Sequence, residues 1–183
     1  MVRQRHTKPA GCVQVFGCMN VRSLSPSKLD SFIIQLNDQP VDITLLSETW
    51  HDANSVAIRR LRADGYLVAE RARPRARRAD ESLIVNHGGV AIVAAAGVRL
   101  MPIDIGHQPT TFVCVAARAL SGSSSCVAVV IYRPGSTAVT AAFVTELAGV
   151  LDCMATYADP IVLAGDVNIR LERTDEPTAA EFC

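Results

Sequence analysis

Asn20, Glu48, Tyr132, Asp166 and Asn168 share one sequence context: each lies at or just beyond the end of a short β-type apolar run. Cys12 to Phe16 leads to Met19-Asn20, Ile43 to Leu46 to Ser47-Glu48, Cys126 to Ile131 to Tyr132-Arg133, and Ile161 to Leu163 to Gly165-Asp166-Val167-Asn168. A strand core has no use for an amide, a carboxylate, a phenol and an Asp-x-Asn pair. Strand ends that meet at one edge of a scaffold are where ligand chemistry collects. The residue types suit hydrolysis of a phosphate ester, which requires a Lewis acid, a positioned water and donors for the non-bridging oxygens. Glu48 offers a carboxylate and Asn20 an amide oxygen, hard donors of the kind magnesium takes while keeping several waters. Asp166 can orient or deprotonate the attacking water. Asn168, two residues on and facing the same way in an extended segment, can donate to the phosphate. Tyr132 can donate its phenolic hydrogen, and Arg133 can pair with phosphate charge.

Taken singly, each residue has a plainer explanation. An Asp-x-Asn after a strand often closes a turn on its own backbone, and a lone Asn in that place is a cap or turn residue. A glutamate before Thr-Trp is ordinary surface, and Tyr132-Arg133-Pro134-Gly135 reads as a strand end with a turn. Their joint occurrence in one order favours the chemical reading.

The chain has 183 residues, 49% of them hydrophobic, enough to form the core of one domain. The spacing predicts a flexible tail over residues 1 to 11 and a folded unit over 12 to 183. Basic and acidic residues number 18 each, so the total charge gives no preference for polyanions. Their distribution is uneven: Arg71, Arg73, Arg75, Arg77 and Arg78 crowd around Pro74. An arginine-dense loop can lie on a phosphate backbone, with Arg75, Arg77 and Arg78 as its contacts, or it can be a solvated loop. Cys12, Cys18, Cys114, Cys126, Cys153 and Cys183 are dispersed without C-x-x-C spacing and read as buried free thiols. The N-terminus lacks a secretory apolar stretch, and the longest nearly apolar run, Gly88 to Val98, is too short for a bilayer. A soluble, intracellular protein is expected.

The elements that must position these residues follow from periodicity. Residues 12 to 19 read as a strand, and Ser25-Pro26 as a helix start with Ser25 as the cap. Leu29, Phe32, Ile33 and Leu36 form the inward face. Residues 42 to 47 form a second strand. The order is that of a βαβ unit, which makes the two strands parallel and places Asn20 and Glu48 at one edge. A short helix is expected over 54 to 61 and a strand over 65 to 69. Gly88 to Ala95 and Val98 to Ile103 read as a hairpin about Gly97. Thr110 to Leu120 and Cys126 to Ile131 flank a serine-rich turn. Ser136 or Thr137 can cap a long helix with Val139, Ala142, Phe143, Leu147, Val150, Leu151 and Met154 inward, before a buried strand from Ile161 to Ala164. The fold class is α/β (α+β), with sheets within and helices outside.

The ordered text resembles the endonuclease/exonuclease/phosphatase superfamily, most of all the endonuclease domains of non-long-terminal-repeat (LINE-type) retrotransposon polyproteins. The carrying segments are Cys18 to Leu24, Asp42 to Trp50, His87 to Ile92, Val130 to Gly135 and Leu163 to Asn168. The resemblance covers roughly residues 12 to 170. It implies a deoxyribonuclease-like four-layer sandwich of two packed mixed sheets flanked by helices, incomplete at the C-terminus. It also implies a magnesium-dependent nuclease, with manganese as a substitute, that nicks duplex DNA. Asn20 and Glu48 then fall on metal positions, Tyr132 on the catalytic tyrosine, and Asp166 and Asn168 on the catalytic Asp-x-Asn pair. The implied partners are DNA and a downstream reverse transcriptase, and the implied location is the nucleus if the protein is functional, otherwise the cytoplasm. The family's terminal Ser-Asp-His motif has no counterpart, since none of His6, His51, His87 and His107 stands in that context and His51 reads as a loop residue. Loss of a charged donor of that kind lowers rates by about 10² to 10⁴, so weak or absent activity, bared apolar surface and unpaired strand edges are expected. Two alternatives stay open: a same-fold phosphatase or exonuclease acting on another phosphoester, and a catalytically dead remnant that binds nucleic acid only.

Overall fold

The structure is a computed structural model that describes residues 14–52, 54–74, 87–136 and 138–169. Along the chain it forms β1 (Phe16–Asn20), α1 (Pro26–Asp38), β2 (Ile43–Ser47), α2 (Val56–Ala63), β3 (Leu67–Arg71), β4 (Val90–Ala94), β5 (Arg99–Ile103), β6 (Val113–Ser121), β7 (Ser124–Tyr132), α3 (Ala141–Ala155) and β8 (Ile161–Asp166). Two four-stranded sheets result, ordered β1-β2-β4-β3 and β5-β6-β7-β8. In each, one crossover helix makes a parallel pair: β1 with β2 through α1, and β7 with β8 through α3. The other pairs are antiparallel.

Alternation along the strands divides the apolar residues into layers. Ile43 and Leu45 of β2 and Ile92 of β4 meet Ala128 and Val130 of β7 between the sheets. The opposite face of the first sheet, through Leu46, Ala91 and Val93, buries Leu29, Phe32 and Leu36 of α1 and Ile58 and Leu61 of α2. The outer face of the second sheet, through Val127, Val129 and Ile131, packs on Phe143, Leu147, Val150 and Met154 of α3. The four layers are therefore helices, sheet, sheet, helix, as expected. Cys114 and Cys126 are buried free thiols, and burial pushes Cys114 up to about 11. Cys18 is exposed and Cys153 half-buried, contrary to expectation, while Cys12 and Cys183 lie outside the described residues.

Several local expectations are corrected. Residues 88–95 and 98–103 do not form a hairpin: β4 lies between β2 and β3, whereas β5 is the edge of the other sheet. Every residue of β4 is buried, as a central strand covered on both faces requires, and Pro102 is tolerated in β5 because an edge strand can dispense with a donor. Pro26 does open α1, but the Ser25 side chain makes no cap hydrogen bond, its hydroxyl lying 3.2 Å from that of Ser27. α3 is capped by Thr140, whose Oγ1 accepts from the backbone N–H of Phe143 at 3.3 Å, and not by Ser136, while Thr137 lies outside the described residues. Ala142 and Leu151 face outward.

β1 and β8 are the edges of their sheets, and they lie near each other across the sandwich. On β8, Val162 and Ala164 pack inward while Ile161 and Leu163 remain 42% and 40% exposed. The buried strand expected over Ile161 to Ala164 is thus corrected: β8 is an edge strand with one apolar face in solvent, an aggregation liability.

The second sheet and α3 are tied together by Glu146. Its two oxygens accept hydrogen bonds from the backbone N–H and the hydroxyl of both Thr110 and Thr111, at 2.6 to 3.0 Å. These threonines lead into Phe112, which meets Phe143 edge-on at 5.5 Å. Burial pushes the Glu146 carboxyl up, but the four hydrogen bonds outweigh it and bring it down to about 2, from an ordinary 4.5. A depressed carboxyl stabilises the fold fully above its unfolded value and loses that contribution as pH falls through the folded one. Urea unfolding should therefore show Glu146→Gln less stable than the parent at pH 7, with the gap closing between pH 4.5 and about 2.

Candidate active site

The parallel pairs bring four C-terminal strand ends to the same end of the sandwich. Asn20 closes β1 opposite Ser47 of β2, and Tyr132 closes β7 opposite Asp166 of β8. Glu48 follows β2 directly and has left-handed backbone, φ 53°, as does Trp50 at φ 50°. Such conformations cost non-glycine residues about 1–3 kcal/mol and persist only where the surroundings hold them. Here the backbone is bonded on both sides. Ser23 N donates to Glu48 O at 2.8 Å and Leu24 N to Thr49 O at 3.0 Å; Thr49 N donates to Gly89 O at 3.2 Å and Trp50 N to Gly88 O at 2.7 Å.

A buried polar chain completes the clamp. His51 is 3% exposed, with Nδ1 2.6 Å from Thr49 Oγ1 and Nε2 2.9 Å from Glu70 Oε2 on β3. The hydrogen bond to His51 and its charge, together with Arg62 and Arg71, lower the Glu70 pKa against the opposing effect of burial. With Glu70 ionised, Nε2–H donates to it, which leaves Nδ1 beside the Thr49 hydroxyl. His51 lies in a loop segment as expected, but as an interior strut, not a surface residue. Gly89 is required beside it, because a Cβ there would sit 2.7 Å from Thr49 Oγ1 and 3.2 Å from His51 Nδ1.

The side chains of the strand ends converge. Asn20 Nδ2 donates to Glu48 Oε1 at 3.0 Å and to Asp166 Oδ2 at 2.9 Å, so one amide bridges carboxylates from both sheets. Asn20 Oδ1 is turned away and accepts from the Arg22 backbone N–H at 3.2 Å. The amide oxygen expected to face a metal is thus replaced by its NH2. Tyr132 is buried, and its pKa is raised by burial and by the charges of Glu48 and Asp166, with Arg73 opposing. Raised above an ordinary 10, the phenol holds its proton at neutral pH.

Two further residues stand elsewhere than expected. Asn168 is not extended but left-handed, φ 51°; its backbone N–H is bonded to Asp166 Oδ1 at 3.1 Å and its Nδ2 to Arg133 O at 2.7 Å. The Asp-x-Asn pair is thus also a turn closing on its own backbone. Arg133 is 3% exposed; Nε donates to Val167 O at 2.7 Å and Nη2 to Asn168 O at 2.8 Å, with the guanidinium 5.7 Å from the Phe143 ring centre. It supports the Asp166 turn from inside, which corrects its assignment as a phosphate ligand. Gly165, at φ 139°, is obligatory, since a Cβ would run into the carbonyl oxygen of Ile131. Arg75, Arg77 and Arg78 lie outside the described residues, while Arg73 donates to His87 O at 3.2 Å near the cluster. The sequence singles out neither Thr49 nor Glu70 and marks His51 only as a loop residue; the adjacency of Thr49 and His51 to Glu48 is the available signal, whereas Glu70 is joined only by the fold.

No protein-family model matches the chain, and no curated protein matches it in sequence. Solved structures do match. D. rerio TDP2 complexed with a single-strand DNA product is 15% identical, with a TM-score of 0.59 over 86% of this chain and 61% of that one. The human Nocturnin catalytic domain with bound sulfate is 19% identical, TM-score 0.57, over 83% and 62%. The endonuclease domain of TRAS1, a telomere-specific non-LTR retrotransposon, is 11% identical, TM-score 0.58, over 91% and 67%. The chain shares the fold of these proteins and spans 61% of the length of the TDP2 structure.

The two readings of Arg133 differ in what its loss does. Arg133→Met should lower stability by about 1.5–3 kcal/mol, the range for hydrogen bonds to a charged group. The dependence of any DNA binding on salt should be unchanged, whereas a lost phosphate contact would reduce the log–log slope by about 0.9. Chemical denaturation and binding titrations at several salt concentrations measure both.

Proposed function

We propose that this chain is a divalent-metal-dependent phosphodiester hydrolase module of the DNA-nicking kind found in retrotransposon endonucleases. The observation that supports the reading most is the Asn20 amide bridging Glu48 and Asp166 beside a protonated Tyr132. Two carboxylates drawn together from separate sheets repel each other, and here an NH2 group occupies the place between them.

Among the described residues no cluster of three or more His, Cys, Asp and Glu side chains could hold a metal ion. The donor set is instead two carboxylates and an amide, hard oxygen ligands that suit magnesium, and manganese in its place. A half-turn of the Asn20 amide would present Oδ1 alongside Glu48. When bound, the cation would neutralise charge developing on the phosphoryl group. The chain's own residues supply the rest: Asp166 accepts a proton from, or orients, the attacking water, and Tyr132 donates to a non-bridging oxygen. Asn168 shapes the turn that aims Asp166, with its amide on Arg133 O. DNA as substrate is supported by the neighbours crystallised with DNA product, TDP2 and the Neisseria 3′ phosphatase NExo. The likeness to TRAS1 supports a retrotransposon context, in which a reverse transcriptase extends the nicked end. A nuclear location would follow from that context.

Plasmid nicking in magnesium, with chelator as the control, tests the proposal. Glu48→Gln and Asp166→Asn should each lower the rate by about 10² to 10⁴, and Tyr132→Phe by about 10² to 10³. Calorimetry should show magnesium binding lost in Glu48→Gln. Nicking that survives both carboxylate changes refutes the assignment, and DNA binding without nicking in the parent chain identifies a binding module.

A further inference from the structure

Two aromatic rings at the rim of the cluster have no part in the chemistry above. Trp50, the chain's single tryptophan, follows Glu48 by two residues. Its indole meets the imidazole of His87 with centroids 4.0 Å apart and planes tilted by 45°, so each ring leaves part of a face uncovered by the other. His87 is exposed and Trp50 partly so.

The usual reasons for a tryptophan do not apply here. Trp50 belongs to none of the three apolar clusters that form the core. Its Nε1 is closed to solvent and has no acceptor among the described residues, so a hydrogen bond does not explain it either. Yet the fold holds it at φ 50°, an unfavourable conformation for a bulky residue, through the hydrogen bond from its N–H to Gly88 O. The backbone beside His87 also packs against Tyr132 and Arg73. A Cβ on Gly88, the residue after His87, would lie 3.1 Å from the Tyr132 ring and 2.8 Å from the Arg73 side chain.

We propose that Trp50 and His87 form a stacking subsite for one unpaired nucleobase, set beside the phosphate-processing cluster. This rests on the DNA reading given above. Every base has a π face, so stacking on such a platform tolerates any sequence, and its loss weakens binding by about 1–3 kcal/mol per base. Through the affinity relation that corresponds to about 5- to 150-fold. The positive charge of Arg73 on the same rim suits the flanking phosphates. The subsite would favour strands whose terminal or frayed nucleotide can leave the duplex stack.

Because Trp50 is the only tryptophan, its fluorescence reports on the subsite without any substitution. The full chain is titrated with a short single-stranded oligodeoxynucleotide, a strand of equal length built from abasic spacers, and a blunt duplex; binding is followed separately by anisotropy with labelled strands. The normal strand should quench Trp50, the spacer strand should bind about 5- to 150-fold more weakly without quenching, and the duplex should quench less than the single strand. Trp50→Phe should retain the preference for bases over spacers, and Trp50→Leu should lose it. Equal binding of normal and spacer strands with unchanged fluorescence overturns the subsite and leaves the nuclease reading intact. Quenching by duplex as strong as by single strand overturns the preference for an unpaired base. Failure of every strand to bind removes the DNA reading, and the subsite with it.

Discussion

A single primary amide joins the two halves of this fold at the point where chemistry would occur. Asn20 ends an edge strand of one sheet and Asp166 an edge strand of the other, and no ladder hydrogen bond connects those sheets. The contacts of Asn20 Nδ2 with Glu48 and Asp166, at 3.0 and 2.9 Å, span the gap between them. A positively polarised NH2 group between two carboxylates offsets part of their mutual repulsion. The sandwich supplies the approach of the strands, and their polar ends make it productive.

Glu48 could not take its place on an ordinary strand extension. A residue continuing β2 in register would alternate with Ser47 and point to the opposite face, whereas the left-handed turn at φ 53° redirects it. Three constraints maintain that turn: hydrogen bonds from the segment after β1, hydrogen bonds to Gly88 and Gly89, and the buried Thr49, His51 and Glu70 chain anchored on β3. The last reaches past β4 to β3, one edge of the first sheet. On the other side Arg133 does the corresponding work for Asp166 by binding the carbonyls of Val167 and Asn168. Each carboxylate therefore has a buried cationic or titratable neighbour that fixes backbone and not ligand.

The sequence revealed the convergence because parallel pairing follows from strand, helix, strand order, and parallel strands put their last residues together. It also revealed α1, with Pro26 at its start and Leu29, Phe32 and Leu36 inward. It concealed the placement of β4. A glycine turn between two apolar segments suggests a local hairpin, yet the unbroken run from Val90 to Ala95 lacks the alternation that a half-exposed hairpin strand shows. That run marked a central strand with partners distant in sequence. Arg133 was misjudged for a related reason: motif adjacency places an arginine next to Tyr132, but alternation turns consecutive strand residues to opposite faces. Tyr132 therefore faces the space between the sheets while Arg133 faces α3 and Phe143.

The same alternation ties the integrity of the site to the open side of the sandwich. Residues 162, 164 and 166 of β8 face inward and residues 161, 163 and 165 outward, where Ile161 and Leu163 are bare. An edge strand is held by one ladder instead of two, so β8 depends on β7 through Gly165, whose close approach to Ile131 admits no side chain. Asp166 is the last residue of that strand and Asn20 the last of β1, itself an edge. The Asn20–Asp166 hydrogen bond thus joins the last residues of two strands that are each held by a single ladder.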